Sequence, residues 1–283
     1  MGARPGEACP AQGATALSDA VRAAPELRQR ARWRLRVLAD GAELHAEPSR
    51  GPTVDPIGRG RAIAGGAALR NMELAVANLG HGPQVRLLPD ADDPLHLATV
   101  VIGDGRHPDP TERLLHMAMP HRRSHPLPFA PRPVEAQLDA RLHDATRRNG
   151  VRALTMGGDR LRTVGTVLAA AVTHRRGDED QLADVVQWLS DGAGRTPRAD
   201  RAALIEQLER GALILVTTEA DRPPDWLHAG WALQNAWLTA VSSGLVASVV
   251  GGVLDAPGVR AALAMRLGLD GCPQLLLRAG HKS

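Results

Sequence analysis

Three consecutive residues, Arg122, Arg123 and Ser124, lie in a proline-punctuated run from Pro120 to Pro133, PHRRSHPLPFAPRP. A guanidinium offers a planar fork of charge-assisted hydrogen bonds and a serine hydroxyl adds one more, a combination suited to gripping a phosphate. The same arginines would also serve as plain solvated charges beside a connector. Other groupings carry less chemistry. His116, His121 and His125 are close in sequence, but Pro120 breaks the helix that would align them and no carboxylate or cysteine nearby completes a metal set, so no metal ligand is assigned. Gly58 and Gly60 open like a dinucleotide fingerprint, yet position 63 is Ile and no parallel strand leads into them. Ser242, Ser243 and Ser248 lack the strand-to-helix elbow of a hydrolase. No protein-supplied nucleophile or acid/base pair is predicted, and no catalytic side chain is named.

The elements that must position the arginine run are legible from periodicity. Trp33, Leu35 and Val37 alternate with Arg34 and Arg36, Asp40-Gly41 forms a tight turn, and Ala42, Leu44 and Ala46 alternate with charged or polar neighbours, a β-hairpin. Helical spacing of Ile63, Ala67, Met72, Val76 and Leu79 predicts a helix over 61–79, stopped by Gly80. Strands are expected at 84–88 and 97–102, then a loop from Gly103 to Asp109 and a helix from Pro110 to Met119. Beyond the connector come a helix over 134–149, a strand over 151–155 and helices over 159–174, 179–189 and 199–210. A strand over 212–217 follows, then a long helix capped by Asp225 that continues toward Ser248, a helix over 259–267 and a strand over 274–278. Two units mixing helices with antiparallel strands make the class α+β. The expected organisation is a flexible segment over 1–19, one half over 20–119 and a second over 120–283.

Composition narrows the function classes. A chain of 283 residues that is 43% hydrophobic can bury a sizeable core. Its charge is nearly balanced at +3, aromatics are 2% and Lys282 is its one lysine, so neither stacking platforms nor a concentrated basic stripe mark a nucleic-acid binder. No apolar stretch is long enough to span a bilayer and the first residues carry no apolar signal core, which places the chain in the cytoplasm. Cys9 and Cys272 have neither metal nor redox spacing.

Taken in order, the hairpin, Asp55-Pro56 to Leu69, the Pro120 to Val134 run, the helix Asp225 to Ser248 and LGLDGCPQLLLRAG from Leu267 to Gly280 resemble the FMN-dependent nitroreductase superfamily, in its Acg-like branch. The resemblance covers about Ala20 to Gly280. Ordinary members are homodimers with FMN at the subunit interface, and this branch resembles both subunits fused, which implies a nitroreductase-like fold of two pseudo-symmetric halves in a chain that need not dimerise.

The family's flavin-bordering segment, of the form Ala-Pro-Ser-x-x-Asn-x-Gln-Pro-Trp, reads here from Ala24 to Trp33, with Pro25 matching, Glu26 in place of the serine and Gln29 in place of the asparagine. The family's Arg-Arg-Ser/Thr-x-Arg run matches at Arg122, Arg123 and Ser124 and departs at Pro126, where a cation is usual. Its later arginine-rich segment is represented only by Arg278, His281 and Lys282. The resemblance thus implies an FMN site made by Pro25, Glu26, Gln29, Arg122, Arg123, Ser124 and Arg278. It implies an oxidoreductase passing reducing equivalents from NAD(P)H to an electron-poor small molecule of nitro or quinone type. The alternative is a degenerate member of the same fold that sequesters flavin without catalysis.

Overall fold

The computed structural model describes residues 10–25, 27, 33–48, 55, 57–148, 150–174, 201–250, 252–255 and 257–283. The chain forms two compact units, Met1–Arg122 with Arg222–Leu238, and Arg123–Asp221 with Thr239–Ser283.

The first unit contains α1 (Pro10–Arg22), β1 (Trp33–Val37), β2 (Gly41–Ala46), α2 (Arg59–Asn78), β3 (His81–Leu87), β4 (His96–Gly105) and α3 (Pro110–Ala118). Its strands form an antiparallel sheet in the order β1-β2-β4-β3. The hairpin pairs Trp33 with Ala46 and Val37 with Ala42, so alternation sends Ala42 and Leu44 inward with Ala98 and Val100 of β4. These pack on Leu17 and Val21 of α1 and on Leu69, Met72 and Val76 of α2. The Asp55 carboxylate accepts from the backbone N–H groups of Gly60 and Arg61 at 3.2 and 2.9 Å, satisfying orphan donors in the first turn of α2.

The first part of the helix Pro223–Ser242, α7 in chain order, completes this unit. Gly66 of α2 and Gly230 of α7 let the two backbones touch: a Cβ on Gly230 would overlap the Ile63 carbonyl oxygen, and one on Gly66 the Leu227 carbonyl oxygen. Buried amides tie the helices together. Asn71 Nδ2 donates to the Ala20 carbonyl at 3.0 Å and Gln234 Nε2 donates to Asn71 Oδ1 at 2.8 Å, with both side chains fully buried. Replacing Asn71 by Ala removes both bonds and strands their partners away from water, so Asn71→Ala should lower unfolding free energy by about 2–4 kcal/mol in a urea titration.

The second unit contains α4 (Ala136–Ala145), β5 (Val151–Met156), α5 (Gly158–His174), α6 (Arg201–Glu209), β6 (Ala212–Thr218), β7 (Val246–Val250), α8 (Pro257–Leu267) and β8 (Cys272–Gly280). Its antiparallel sheet runs β5-β6-β8-β7, the same connectivity as the first sheet. In each sheet a 20-residue helix, α2 or α7, connects the second strand to the third, while the second sheet also has α5 and α6 between β5 and β6 and α8 between β7 and β8. The central strand β6 is buried along its whole length, as its unbroken ALILV run predicts. Leu213 and Leu215 pack with Val164, Leu168, Leu204 and Leu263. The chain is α+β with two sheets of matching topology.

Three expectations are corrected. The supposed flexible segment over 1–19 is helical from Pro10, because Leu17, Ala20, Val21 and Ala24 recur at helical spacing and are buried. The helix expected to run toward Ser248 ends at Ser242: Gly244 takes φ 77° and the Leu245 N–H returns to the Ala240 carbonyl at 2.9 Å, a left-handed cap. The β-branched Val246, Val249 and Val250 then continue as β7. The loop expected from Gly103 is strand as far as Gly105, paired with His81. The helix expected over 179–189 lies outside the described residues.

Candidate cofactor site

α3 begins with a capping box: Asp109 accepts from the Glu112 N–H at 2.8 Å and Glu112 accepts from the Asp109 N–H at 3.0 Å. It ends where Met119–His121 tightens into a 3-10 turn around Pro120. That turn delivers Arg122 in extended backbone, its N–H held by the Ala118 carbonyl at 3.1 Å. The Arg122 guanidinium carbon lies 4.7 Å from the centre of the buried Trp237 ring, and Nη2 donates to the Ala23 carbonyl at 3.4 Å. Within the first unit, therefore, the structure brings Arg122 to the segment that holds Pro25, which is itself buried. Stacking on an aromatic face fixes a guanidinium while its in-plane donors keep their directions. Glu26 and Gln29 lie outside the described residues.

In the second unit Arg123 and Ser124 are exposed, and Ser124 bridges Ala247 of β7 as the His125 N–H bonds the Ala247 carbonyl at 3.0 Å. The chain then runs to Phe129, which bridges Lys282 and packs against Gly280. Arg278 is 2% exposed on β8, its guanidinium carbon 4.3 Å from the Phe129 ring centre. It is the cross-strand partner of Ser248, next to the strand residue that Ser124 bridges. Burial pulls the Arg278 guanidinium down to about 9. The group still carries its charge near neutrality, and at low dielectric it interacts strongly with any anion beside it. His125 titrates below its ordinary value, first from burial and then from the charge of Lys282. Ser124 and His125 thus share one neighbourhood with the cations Arg278 and Lys282. Metal-ligand spacing gives no role to His125; the signal that marks it is position, next to the Arg-Arg-Ser run. Pro126, where the resemblance implies a cation, is exposed.

Comparison with known proteins shows what the chain is related to. Two Mycobacterium tuberculosis proteins match it, "Putative NAD(P)H nitroreductase Rv3131" and "Putative NAD(P)H nitroreductase acg". The first is 30% identical over 94% of this chain and 84% of its own length. The chain belongs to the nitroreductase superfamily, in its Acg-like branch. The acg protein is 24% identical over 80% of this chain and 76% of its own length. No family model matches the chain. Among solved structures, the FMN and NADPH-dependent nitroreductase NfnB from sphigopyxis sp. strain HMH aligns at TM-score 0.44 and 23% identity, over 60% of this nitroreductase-family chain and 88% of the other. NfnB from Mycobacterium smegmatis, in complex with NADPH, aligns at TM-score 0.45 and 12% identity over the same shares. Among the described residues of this family member, no helix is long and apolar enough to cross a membrane.

Each unit carries donors that suit the phosphate end of a mononucleotide. In the first, Arg122 is held by an aromatic face; in the second, Arg278 is held likewise, Ser124 offers a hydroxyl, and Arg123 and Lys282 add charge. Such donors have the chemistry of an anion cradle rather than of a nucleophile or general base.

Proposed function

We propose that the protein is an FMN-binding oxidoreductase that takes reducing equivalents from NAD(P)H and passes them to an electron-poor small molecule of nitro or quinone type. The observation that carries this reading is the 30% identity to "Putative NAD(P)H nitroreductase Rv3131" across 94% of the chain. Arg122, Arg123, Ser124 and Arg278 bind the phosphate, and Pro25, Glu26 and Gln29 border the ring. When bound, FMN supplies the redox chemistry, and the protein supplies binding, orientation and electrostatics, so no side chain needs to act as acid, base or nucleophile. The two halves, 20–119 and 120–283, act within one cytoplasmic chain that need not dimerise.

Pro126 favours a second reading, a flavin-sequestering protein without catalysis, because it removes a cation the resemblance implies and cannot donate a hydrogen bond. Binding is tested by titrating the purified full-length chain with FMN and following flavin fluorescence. Saturation at one FMN per chain, weakened by phosphate competition, supports both readings. Failure to saturate would remove both.

A further inference from the structure

Glu43 and His45 stand two residues apart on β2, so strand alternation turns both to one face of the first sheet. Their cross-strand partners on β4 are Thr99 and His96. The register passes over Leu97 at a β-bulge, and this extra residue allows Leu97 and Ala98 to be buried together while His96 reaches Thr99, with Nε2 at 3.1 Å from Oγ1. Bulges re-aim side chains in this way. The result is a tight cluster. Glu43 Oε2 is 3.1 Å from His45 Nε2, and the His45 and His96 rings stack at 4.3 Å with 19° between their planes. One ligand atom from each of the three residues lies within 4.8 Å of the others.

Both imidazoles are almost wholly buried, at 7% and 9% exposure. His45 Nδ1 has no hydrogen-bond partner among the described residues, although Asp93 Oδ2 stands 3.5 Å away. A buried unsatisfied nitrogen is costly, and stacked neutral rings do not offset it. A cation held at Nε2 would fix the proton on Nδ1 and turn it toward Asp93, the one acceptor within reach among the described residues.

We infer that Glu43, His45 and His96 bind a zinc(II)-type ion that clips β2 to β4 at the bulge. Two imidazole nitrogens and a carboxylate oxygen are a zinc donor set with one position left for water, and imidazole selects against calcium and magnesium. On ion binding Asp93, whose Oδ2 stands 3.5 Å from Nδ1, becomes the outer acceptor: its carboxylate closes on the Nδ1–H of His45 and fixes the tautomer that presents Nε2 to the ion. Thr99 orients His96 in the same manner. Zinc bonds near 2.1 Å bring ligand atoms to roughly 3.3 Å from one another, so the widest gap in the cluster, up to 4.8 Å, must close by about 1.5 Å and one ring must turn. Arg36, whose Nη1 is 3.2 Å from Glu43 Oε2, must also yield, and at 69% side-chain exposure it has solvent to swing into.

The test uses the full-length chain stripped with a chelator and then titrated with Zn²⁺ against a chromophoric competitor, with Co²⁺ as a visible-absorption probe. The expected result is one ion per chain, a rise in thermal midpoint on binding, and tetrahedral-type cobalt absorption. His96→Ala should weaken binding by more than about 100-fold, and Asp93→Asn by about 10- to 100-fold. Glu43→Gln is isosteric and keeps a polar contact to His45, so it decides the matter should His96→Ala not fold: it too should weaken binding by at least about 100-fold. A wild-type chain that takes up no stoichiometric zinc, or zinc affinity unchanged in Glu43→Gln, would overturn the assignment.

Discussion

Gly230→Val should cost the protein at least about 3 kcal/mol, and Gly230→Ala should be only slightly better. Overpacking a core ordinarily costs about 1–3 kcal/mol because side chains can shift aside. Here the obstacle is backbone: a Cβ at Gly230 falls on the carbonyl oxygen of Ile63, and the Ile63 Cα is only 3.0 Å from the same point. Relief requires α2 and α7 to separate. Separation would also lengthen the bond between Gln234 and Asn71 and the 2.5 Å hydrogen bond from Trp231 Nε1 to Glu73, so the damage spreads beyond one clash. For a chain of this size such a destabilisation should lower the thermal midpoint by on the order of 10 °C. Gly258 in the first turn of α8 provides the control, since a Cβ there meets nothing within 4 Å. Gly258→Ala should be neutral or stabilise by about 0.5–1 kcal/mol. A Gly230→Ala protein melting with the wild type would show that the helices do not touch as described.

The second large effect is on ligand affinity. In the double variant Arg122→Ala, Arg123→Ala, FMN binding should weaken by on the order of 1–3 kcal/mol for each charge-assisted hydrogen bond removed, and the two should be roughly additive at best. The two residues differ in how they are held. Arg122 is fixed by the Trp237 ring and the Ala23 carbonyl, whereas Arg123 is exposed. Arg122→Lys keeps the charge but lacks the plane that stacks and the fork that pairs with phosphate, so it should restore only part of the affinity. Fluorescence titration with FMN, alongside thermal unfolding, separates a binding defect from a folding defect. A double variant that binds as wild type would remove Arg122 and Arg123 from the site.

Much of the fold is legible in the sequence because its signals are local. The Asp40-Gly41 hairpin, the apolar period of α2 and the unbroken ALILV run of β6 each state their structure within a few residues. The departures turn on small residues with two uses. Ser242-Ser243-Gly244 reads as continuing helix until Gly244 is allowed its left-handed cap, and the alanines of α1 read as a loose leader until Leu17 and Val21 are set on one face. For the site, the Arg122-Arg123-Ser124 run is visible because it is contiguous. The placement of Arg278 against Phe129 is not, since it depends on the connector running back to the last strand. The Glu43, His45 and His96 cluster is further out of reach: the histidines are distant in sequence, and the bulge at Leu97 that turns His96 toward them leaves no mark in composition.

Anaerobic reduction decides whether this nitroreductase-family chain works as an FMN oxidoreductase. The full-length protein reconstituted with FMN is mixed with NADPH, and separately with NADH, while flavin absorbance is followed. The colour should bleach with at least one of the two donors, in proportion to bound FMN, and return on addition of a nitroaromatic or quinone acceptor. Bound flavin that stays oxidised in an excess of both donors would contradict it, and would leave flavin sequestration as the function.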